Sequence, residues 1–392
     1  MRIRIDGISK GQLNLTSIKE SLNMIRILLI LIILSHGFIH LIGFAKAFQL
    51  SEIKQITQHI SKPMGLIWLT AFLAFTLTAI LFIGKNKYWW LAGILSVSIS
   101  QFIIIYFWHD ARYGTIANLI ILAASLAGLG NLKYYQQYTA DVEKAFEQET
   151  DSSISILTES DIATLPDPVK DYIRYTGSIG KPKVINFKVE SEGQIRKNEQ
   201  SEWMPFTTEQ YNFISKPYRL YYMNAKMMNL PVAGYHSYKD GKAVMDIRLF
   251  SVFKVQYKEG AEMDKAETVT FFNDMCCMAP ASLIDKRINW LKTEGRKVLA
   301  SFTHNNTTIH AWLFFNENSE LVNFISEDRY DYDAGKNLPW STPMKDYTYI
   351  NGYRLPAYAD AIYSYPEKDL CYGKFKITNV VYNLKSLQQA PQ

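Results

Sequence analysis

Three histidines in the first third of the chain have the residue type and the spacing for metal, haem or proton chemistry. His36 and His40 are four residues apart in an apolar stretch, so a helix places both on one face. His109 follows a later apolar stretch and stands beside Asp110, a carboxylate suited to orienting an imidazole ligand. Ionisable side chains at membrane depth are functional candidates, because burying them unpaired is costly. We predict a metal site at these histidines, which would hold a metal ion or haem, although the sequence requires neither.

The same histidines also fit a structural role. His36 and His40 flank Gly37, and a small residue lets two helices approach while imidazoles hydrogen-bond between them. Both interpretations stand at this point. The sequence contains no nucleophile elbow, phosphate-binding loop or dinucleotide fingerprint, so we expect a protein that is not an enzyme. Its three cysteines include no CxxC pair, which argues against a zinc site of the thiolate kind.

A second set of candidate residues is aromatic and lies in the last two thirds of the chain. Aromatic side chains offer a large apolar body, and concave sheets often hold ligands in their mouths. Glu327, Asp328 and Arg329 add a charged cluster beside a hydrophobic strand. We predict that an apolar ligand is bound by Tyr221, Tyr222, Trp312, Phe314, Tyr330 and Arg329. Core packing and a solvated salt bridge are the competing interpretations.

Four apolar segments must position the histidines. They run from about Ile27 to Phe44, Met64 to Ile83, Tyr88 to Trp108 and Thr115 to Leu132. Each is close to the roughly 20 residues that cross a hydrocarbon core of about 30 Å. None contains Asp, Glu, Lys or Arg in its interior. The sequence therefore predicts a four-helix transmembrane bundle with the lipid bilayer as its first partner.

Basic residues favour one orientation of this bundle. Five precede the first segment and two lie between the second and third, whereas the opposite loops hold four. The positive-inside rule therefore places the amino terminus in the cytoplasm, and an even number of spans places the carboxyl-terminal domain there too. The formal charge of +5 is scattered among acids, so we expect no nucleic-acid partner.

The later part of the chain has the pattern of a β-rich domain. Ile185, Phe187 and Val189 alternate with polar residues, as in a half-buried strand. Asp240-Gly241 and Asn351-Gly352 are strong hairpin signals. Further turns are expected at Asn305-Asn306 and from Asn316 to Ser319. Sequential hairpins without alternating helices favour a curved antiparallel sheet.

A few helices are expected to cover this sheet. Thr158 and Asp161 form a capping pair for a short helix. Asp167 followed by Pro168 predicts a second helix, which stops at Gly177. A third is expected over about residues 265–292.

The predicted fold is thus a membrane α domain followed by an α+β domain with a half-barrel-like sheet. The expected divisions are a basic cytoplasmic tail (1–26), the four-helix transmembrane domain (27–132), a helical linker with a polar hinge at 150–155 (133–160), the soluble domain (161–385) and a disordered tail (386–392).

Several motifs resemble an uncharacterised bacterial family, a domain of unknown function that occurs alone or behind four membrane spans. They are LPDPVKDYIRYTGSIGKP from Leu165, WMPFTTEQY from Trp203, SEDRY around Arg329, LPW at Trp340, NGYRLP and ITNVVYN; HGFIHLIGFAKAF near the amino terminus is similar too. The resemblance covers about residues 24–383 and implies no known chemistry. A more distant resemblance is to LolA/LolB-like lipoprotein carriers, which implies an incomplete β-barrel around an apolar cavity. Because a fold does not fix a function, this only favours a lipid-like ligand.

Three functions follow as hypotheses. The first is a non-enzymatic protein of the bacterial cytoplasmic membrane whose β-rich domain binds a lipid-like or lipidated ligand. The alternative is a small redox, metal- or haem-binding or transport protein that uses His36, His40 and His109. A third is a module that assembles other membrane proteins.

Overall fold

A computed structural model describes residues 9–149, 155–228 and 230–387, with side chains from Met24 onward. Most of the predicted hinge at 150–155, the end of the predicted tail at 386–392 and much of the basic tail at 1–26 lie outside the described residues. Contacts between Cα atoms divide the chain into two units. The first is Met1–Tyr135 with Phe250–Val252, and the second is Gln136–Leu249 with Phe253–Gln392.

The first unit is helical. Its helices are α1 (Ser9–Ala47), α2 (Lys62–Ile83), α3 (Trp89–Tyr106), α4 (Trp108–Ala111) and α5 (Gly114–Glu147), the last of which continues into the second unit. Four segments of them are long and apolar enough to cross a membrane: Met24–Ala47, Lys62–Ile83, Trp89–Tyr106 and Gly114–Glu147. The four predicted helices are therefore confirmed. The third ends earlier than predicted, because the chain breaks at Phe107 before the short α4.

Local chemistry explains where these helices begin and how they pack. Ser61 caps α2 by accepting the Met64 backbone N–H at 3.4 Å. At the other end of α2, Arg26 donates from Nη2 to the Phe82 and Ile83 carbonyls, both at 2.9 Å, where a helix leaves carbonyls without intrahelical partners.

The second unit, the β domain, begins with the end of α5 and two short helices. These are α6 (Glu159–Ile162) and α7 (Asp167–Tyr175). Its strands are β1 (Asn186–Ile195), β2 (Met204–Phe213), β3 (Tyr218–Met227), β4 (Leu230–Lys239), β5 (Lys242–Leu249), β6 (Phe253–Glu259), β7 (Ile288–Glu294), β8 (Lys297–His304), β9 (Thr307–Phe315), β10 (Leu321–Asp331), β11 (Lys336–Ser341), β12 (Met344–Ile350), β13 (Tyr353–Ser364) and β14 (Asp369–Tyr382). Between β6 and β7 lie α8 (Ala261–Met278) and a 3-10 turn at Pro280–Ile284.

All strands belong to one antiparallel sheet that curls around α8. The order is β6-β5-β4-β3-β2-β1-β14-β13-β11-β10-β9-β8-β7, with β12 paired to β13. Strands β5 and β9 are far apart in this order, yet α8 packs against both. A sheet can meet one helix from both of its halves only if it is curved, so the predicted fold class is confirmed. We call the face that meets α8 the inner face.

Turn chemistry sets the register of the hairpins. Asp240 and Gly241 have φ of 51° and 75°, and Asn351 and Gly352 have φ of 47° and 84°. Both central residues of a type I′ turn need positive φ, which these residue types tolerate. The four predicted turns are confirmed, since Asn305-Asn306 and Asn316–Ser319 also connect adjacent strands.

The helix predictions are confirmed with altered ends. The Thr158 backbone N–H donates to Asp161 Oδ2 at 2.8 Å, as the capping pair predicted. The helix predicted to run to residue 292 was too long, because α8 stops at Met278 and β7 follows. Pro280 lacks a backbone N–H and cannot continue an α-helix in this position.

Candidate functional site

The inner face of the sheet holds a buried group of charged and polar side chains against α8. Arg219 on β3 donates from Nε to Asp274 Oδ2 at 2.7 Å and from Nη1 to Glu267 Oε2 at 3.0 Å. Gln210 and Asn212 on β2 donate to the same Asp274 oxygen at 2.6 and 3.2 Å. These five residues form what we call the polar cluster. None is more than 6% exposed, so the whole ion-pair network is held away from water.

Strand register and helical periodicity bring the polar cluster together. Asn212 lies directly opposite Arg219 across β2 and β3. Alternate residues of a strand share a face, so Gln210 reaches the same side as Asn212. Glu267 and Asp274 are seven residues apart on α8, about two turns, which places both carboxylates on one helix face.

The polar cluster keeps its charges paired. Burial alone would raise the pKa of Glu267, but the charges of Arg219 and His236 outweigh it and lower the pKa to about 2. The His236 Nδ1 atom lies 3.8 Å from Glu267 Oε1. Buried ion pairs offset their desolvation only when further hydrogen bonds complete them, which Gln210 and Asn212 do here. The polar cluster is therefore better suited to holding α8 against β2 and β3 than to transferring protons.

Arg329 on β10 is a second arginine beside α8. Its hydrogen-bond partners are hydroxyl and carbonyl groups, whereas those of Arg219 include two carboxylates. Its Nε donates to the Tyr363 hydroxyl at 3.2 Å, and its Nη1 donates to the Ala266 carbonyl at 2.9 Å and to the Thr270 hydroxyl. The guanidinium carbon lies 4.5 Å from the centre of a Trp340 ring. Among the described residues, no carboxylate forms an ion pair with this side chain.

The charge of Arg329 persists despite its surroundings. Burial would lower the pKa of its guanidinium, but the neighbouring Tyr363, Tyr372 and Glu267 act in the opposite direction and the pKa rises. An arginine that stays charged while it lacks a carboxylate partner is well placed to receive an anionic group.

An apolar patch adjoins the polar cluster on the inner face. It consists of the buried side chains Phe206, Tyr221, Met223 and Ala225, with Ile195 and Phe375 packed against them. Tyr221 joins the patch to the polar cluster, because the Arg219 guanidinium carbon lies 4.7 Å from its ring centre.

Aromatic contacts connect the two halves of the inner face. The Phe206 and Phe375 rings are 5.1 Å apart, and the Tyr363 and Tyr372 rings stack at 5.4 Å. The Trp340 Nε1–H donates to the Tyr372 hydroxyl at 3.0 Å.

The six predicted ligand-binding residues do not share one surface. Tyr221 and Arg329 both lie on the inner face beside α8. Tyr222 points away from the inner face, where its ring lies 5.2 Å from that of Tyr138. Trp312 and Phe314 also point outward, because the alternate residues of β9 are those in the core.

The Tyr330 ring lies 5.1 Å from the Tyr332 ring. Asp328, which precedes Arg329 in the sequence, forms its own contact with α8. Its Oδ1 atom accepts a hydrogen bond from Lys265 Nζ at 2.7 Å. Of the six predicted residues, only Tyr221 and Arg329 therefore belong to the candidate site on the inner face.

The helical unit contains a second candidate site around two of the predicted histidines. The His36 and His40 rings are 5.1 Å apart and only 4% and 2% exposed. His36 Nε2 lies 2.9 Å from Asn118 Oδ1 and 3.1 Å from Ser100 Oγ. The packing interpretation of His36 is thus supported by two hydrogen bonds to other helices.

His109 lies in different surroundings. Its side chain is 80% exposed, and its Nδ1 atom is 3.0 Å from Asp110 Oδ1. Asp110 also accepts the Thr57 backbone N–H at 2.7 Å. The His109 contact lowers the pKa of Asp110 most, and the backbone N–H groups of Thr57 and Gln58 add to the effect. Within the described chain, no group of three His, Cys, Asp or Glu side chains is arranged to hold a metal ion.

Sequence reasoning missed the polar cluster and Trp68. Arg219 lies in the mostly apolar first half of β3, and two acids recur seven residues apart in α8, but only the register of the sheet shows that they meet. Trp68 contacts His40 across two helices, with ring centres 5.4 Å apart, and gave no signal in the sequence.

A comparison with protein families shows which family this chain matches. The profile of a family of unknown function, DUF6544, matches residues 155–375, which is more than half of the chain. No protein in a search of curated sequences matches.

Two solved structures are similar to part of this chain. A LolA superfamily protein from Nitrosomonas europaea is 10% identical with a TM-score of 0.33, over 57% of this chain and 94% of its own. A DUF1329 family protein from Desulfovibrio piger is 9% identical with a TM-score of 0.31, over 56% of this chain and 92% of its own.

Proposed function

We propose that this chain, which belongs to the DUF6544 family of unknown function, is a membrane-anchored binding protein whose β domain takes up an amphipathic, acidic, lipid-like ligand. In this proposal residues 27–132 form the membrane domain, 133–160 the linker and 161–385 the ligand-binding domain. The ligand lies on the inner face, with its acidic group at Arg329 and its apolar chain along the apolar patch.

The membrane part of the proposal is supported by what the helices expose. Leu31, Phe38, Leu73, Ile105 and Leu119 are each 54–65% exposed on helices of spanning length. Monomeric soluble proteins rarely expose contiguous apolar surface of this kind. A lipid environment removes this surface from water. We place the protein in the bacterial cytoplasmic membrane, with the amino terminus and the β domain on the cytoplasmic side, on the charge bias described above.

The single observation that supports the ligand is Arg329. It is charged, beside α8, stacked on Trp340 and not paired with a carboxylate among the described residues. By contrast, the polar cluster pairs Arg219 with both Glu267 and Asp274. An anionic headgroup would complete the hydrogen bonding of Arg329, and a charge-assisted hydrogen bond contributes about 1.5–3 kcal/mol.

The experiment compares two ligands that differ only in charge. Full-length protein in detergent is titrated with oleic acid and with oleyl alcohol, which has the same chain and no carboxylate. We expect saturable oleate binding that Arg329→Met weakens roughly tenfold to a hundredfold, corresponding to the loss of one charged hydrogen bond. Oleyl alcohol should bind more weakly and should not distinguish the two proteins.

A matched arginine controls for nonspecific attraction. Arg296 lines a surface cleft of about 580 Å³ together with Asp167 and Phe315, well within the size range of ligand sites. Arg296→Met should leave oleate binding unchanged. If Arg296→Met weakened binding while Arg329→Met did not, the ligand site would be the cleft and the inner-face assignment would be wrong. Melting temperatures of both variants check that each remains folded.

A further inference from the structure

A cavity of about 200 Å³ lies inside the helical unit, next to the paired histidines. Its walls include His36, His40, Trp68, Ile104 and Gly114. All of these belong to the first unit. An apolar cavity of about 150 Å³ suffices to hold one benzene-sized ring, so this volume is large enough for a single ring and too small for a large cofactor.

Two buried polar side chains of this wall form no hydrogen bond of acceptable geometry with the residues that the structure describes, although the His36 backbone carbonyl lies near the His40 ring. They are His40, at both ring nitrogens, and Trp68, at Nε1. His40 is 2% exposed and Trp68 is 3% exposed. A buried donor without a partner is unfavourable, so such groups usually bind a ligand or ordered water.

The chemistry of these groups defines what would bind. The Trp68 Nε1–H can only donate, and a neutral imidazole such as His40 supplies one further N–H. Asn118 Nδ2 donates to Gln101 Oε1 at 3.0 Å, so Asn118 Oδ1 is the acceptor for His36 Nε2. The Nε2–H of His36 is therefore occupied, and the remaining N–H donors among these three wall residues are those of Trp68 and His40.

The cavity also reaches the outer surface of the helices. Ile39 and Tyr113 belong to its wall and are 53% and 72% exposed, and Ile42 is 38% exposed. In a bilayer these side chains would meet acyl chains. A molecule arriving from that side would be apolar outside the cavity and would carry its polar group inside it.

We propose that this cavity binds the headgroup of a membrane-soluble quinone-type molecule, with one carbonyl oxygen accepting from Trp68 Nε1–H and another from His40. The ring fits the volume, the two carbonyls match the two donors, and the apolar tail leaves between Ile39 and Tyr113. This inference uses the membrane location proposed above and is independent of the ligand of the β domain.

The test uses full-length protein in detergent and decylubiquinone as the probe. We expect one equivalent to bind and to raise the melting temperature, because a ligand of the folded state stabilises it. Trp68→Phe and His40→Phe keep a ring and remove the hydrogen-bonding atoms, and each should weaken binding about tenfold, the ratio that corresponds to 1.4 kcal/mol. Trp90→Phe is the matched control, because Trp90 Nε1 is also without a partner among the described residues but lies outside the cavity wall.

The outcomes separate this site from that of the β domain. Loss of quinone binding in Trp68→Phe and His40→Phe, with oleate binding intact, supports the cavity. The inference is overturned if quinone fails to bind saturably, if Trp90→Phe weakens binding as much as Trp68→Phe, or if Arg329→Met abolishes quinone and oleate binding alike. Saturable zinc binding that needs His36 and His40, without quinone binding, would replace it by the metal site predicted from the sequence.

Discussion

At the scale of single residues, Glu267 links the stability of the β domain to pH. Its ordinary pKa is 4.5, and its pKa in the folded protein is lowered to about 2 by Arg219 and His236 against the opposing effect of burial. A carboxyl group with a depressed pKa stabilises the folded state above its unfolded pKa. That contribution is lost as the pH falls through the folded pKa.

We predict that Glu267→Gln lowers the free energy of unfolding at neutral pH and flattens its dependence on pH between about 4.5 and 2. The wild type should lose on the order of 3 kcal/mol over this interval through Glu267. Denaturant unfolding followed by circular dichroism, repeated at several pH values, measures the difference.

Glu262 provides the comparison, since it lies on the same helix and is exposed. Glu262→Gln should leave the pH profile unchanged. Identical acid profiles for the wild type and Glu267→Gln would show that the ion pair with Arg219 does not contribute to this part of the pH dependence.

Residue types alone indicated part of the candidate sites. Arg329 and Tyr221 were predicted from charge and aromatic character, and His36 and His40 from their helical spacing. Trp312 was assigned to the same surface as Tyr221, but the register of β9 turns it outward. A shift of one residue along a strand changes the face, so a sequence without known register leaves such assignments open.

At the scale of elements, α1 and α2 approach each other closely at a glycine. A Cβ atom at Gly43 would lie 2.1 Å from Trp68 Cδ2, a distance that real contacts do not reach. The absence of a side chain at Gly43 therefore lets the Trp68 ring lie flat against α1. Small residues at helix interfaces are the usual means of close packing where lipid surrounds the helices.

We expect Gly43→Val to separate α1 from α2 and to destabilise the helical unit by about 1–3 kcal/mol, as overpacking generally does. A lower melting temperature of the detergent-purified protein is the measurement. Ser98→Val adds bulk at an exposed position of α3 and should have little effect. Equal melting temperatures for Gly43→Val and Ser98→Val would mean that the interface is looser than the structure shows.

Element boundaries were predictable where a side chain determines them locally. The pairs Asp240-Gly241 and Asn351-Gly352 fixed two hairpins, because positive φ is a property of single residues. The end of α8 was missed although Pro280 marks it. The segment that follows is apolar, and its pattern is compatible with a helix or with a strand. The pairing of β1 with β14 joins residues nearly 200 apart, and nothing local specifies it.

At the scale of the whole molecule, the orientation of the proposed membrane domain would decide which compartment supplies the proposed ligand. According to the positive-inside rule, the loops that stay in the cytoplasm carry more Lys and Arg residues near the ends of the spans. Seven basic residues lie on the predicted cytoplasmic side, against four on the other. The β domain follows the fourth candidate span and would share the side of the amino terminus.

We predict that green fluorescent protein fused to the carboxyl terminus fluoresces and that alkaline phosphatase fused at the same position is inactive. Replacing Lys85 and Lys87 with Gln should reduce the fluorescent fraction, because it weakens the bias. The opposite pattern, active phosphatase without fluorescence, would place the β domain outside the cytoplasm and would change the class of ligand available to Arg329.

The open order of the sheet has a consequence for copies of this chain at high local concentration. The ladder ends at β6, where Phe253, Val255 and Tyr257 are 44–64% exposed in the described chain. A bare strand edge with aromatic side chains is a template for the addition of a foreign strand. Lys254 and Lys258 alternate with those residues, so a second copy that docked edge to edge would bring like charges together. We therefore expect electrostatic repulsion to oppose the aggregation that the exposed apolar side chains of this edge would favour.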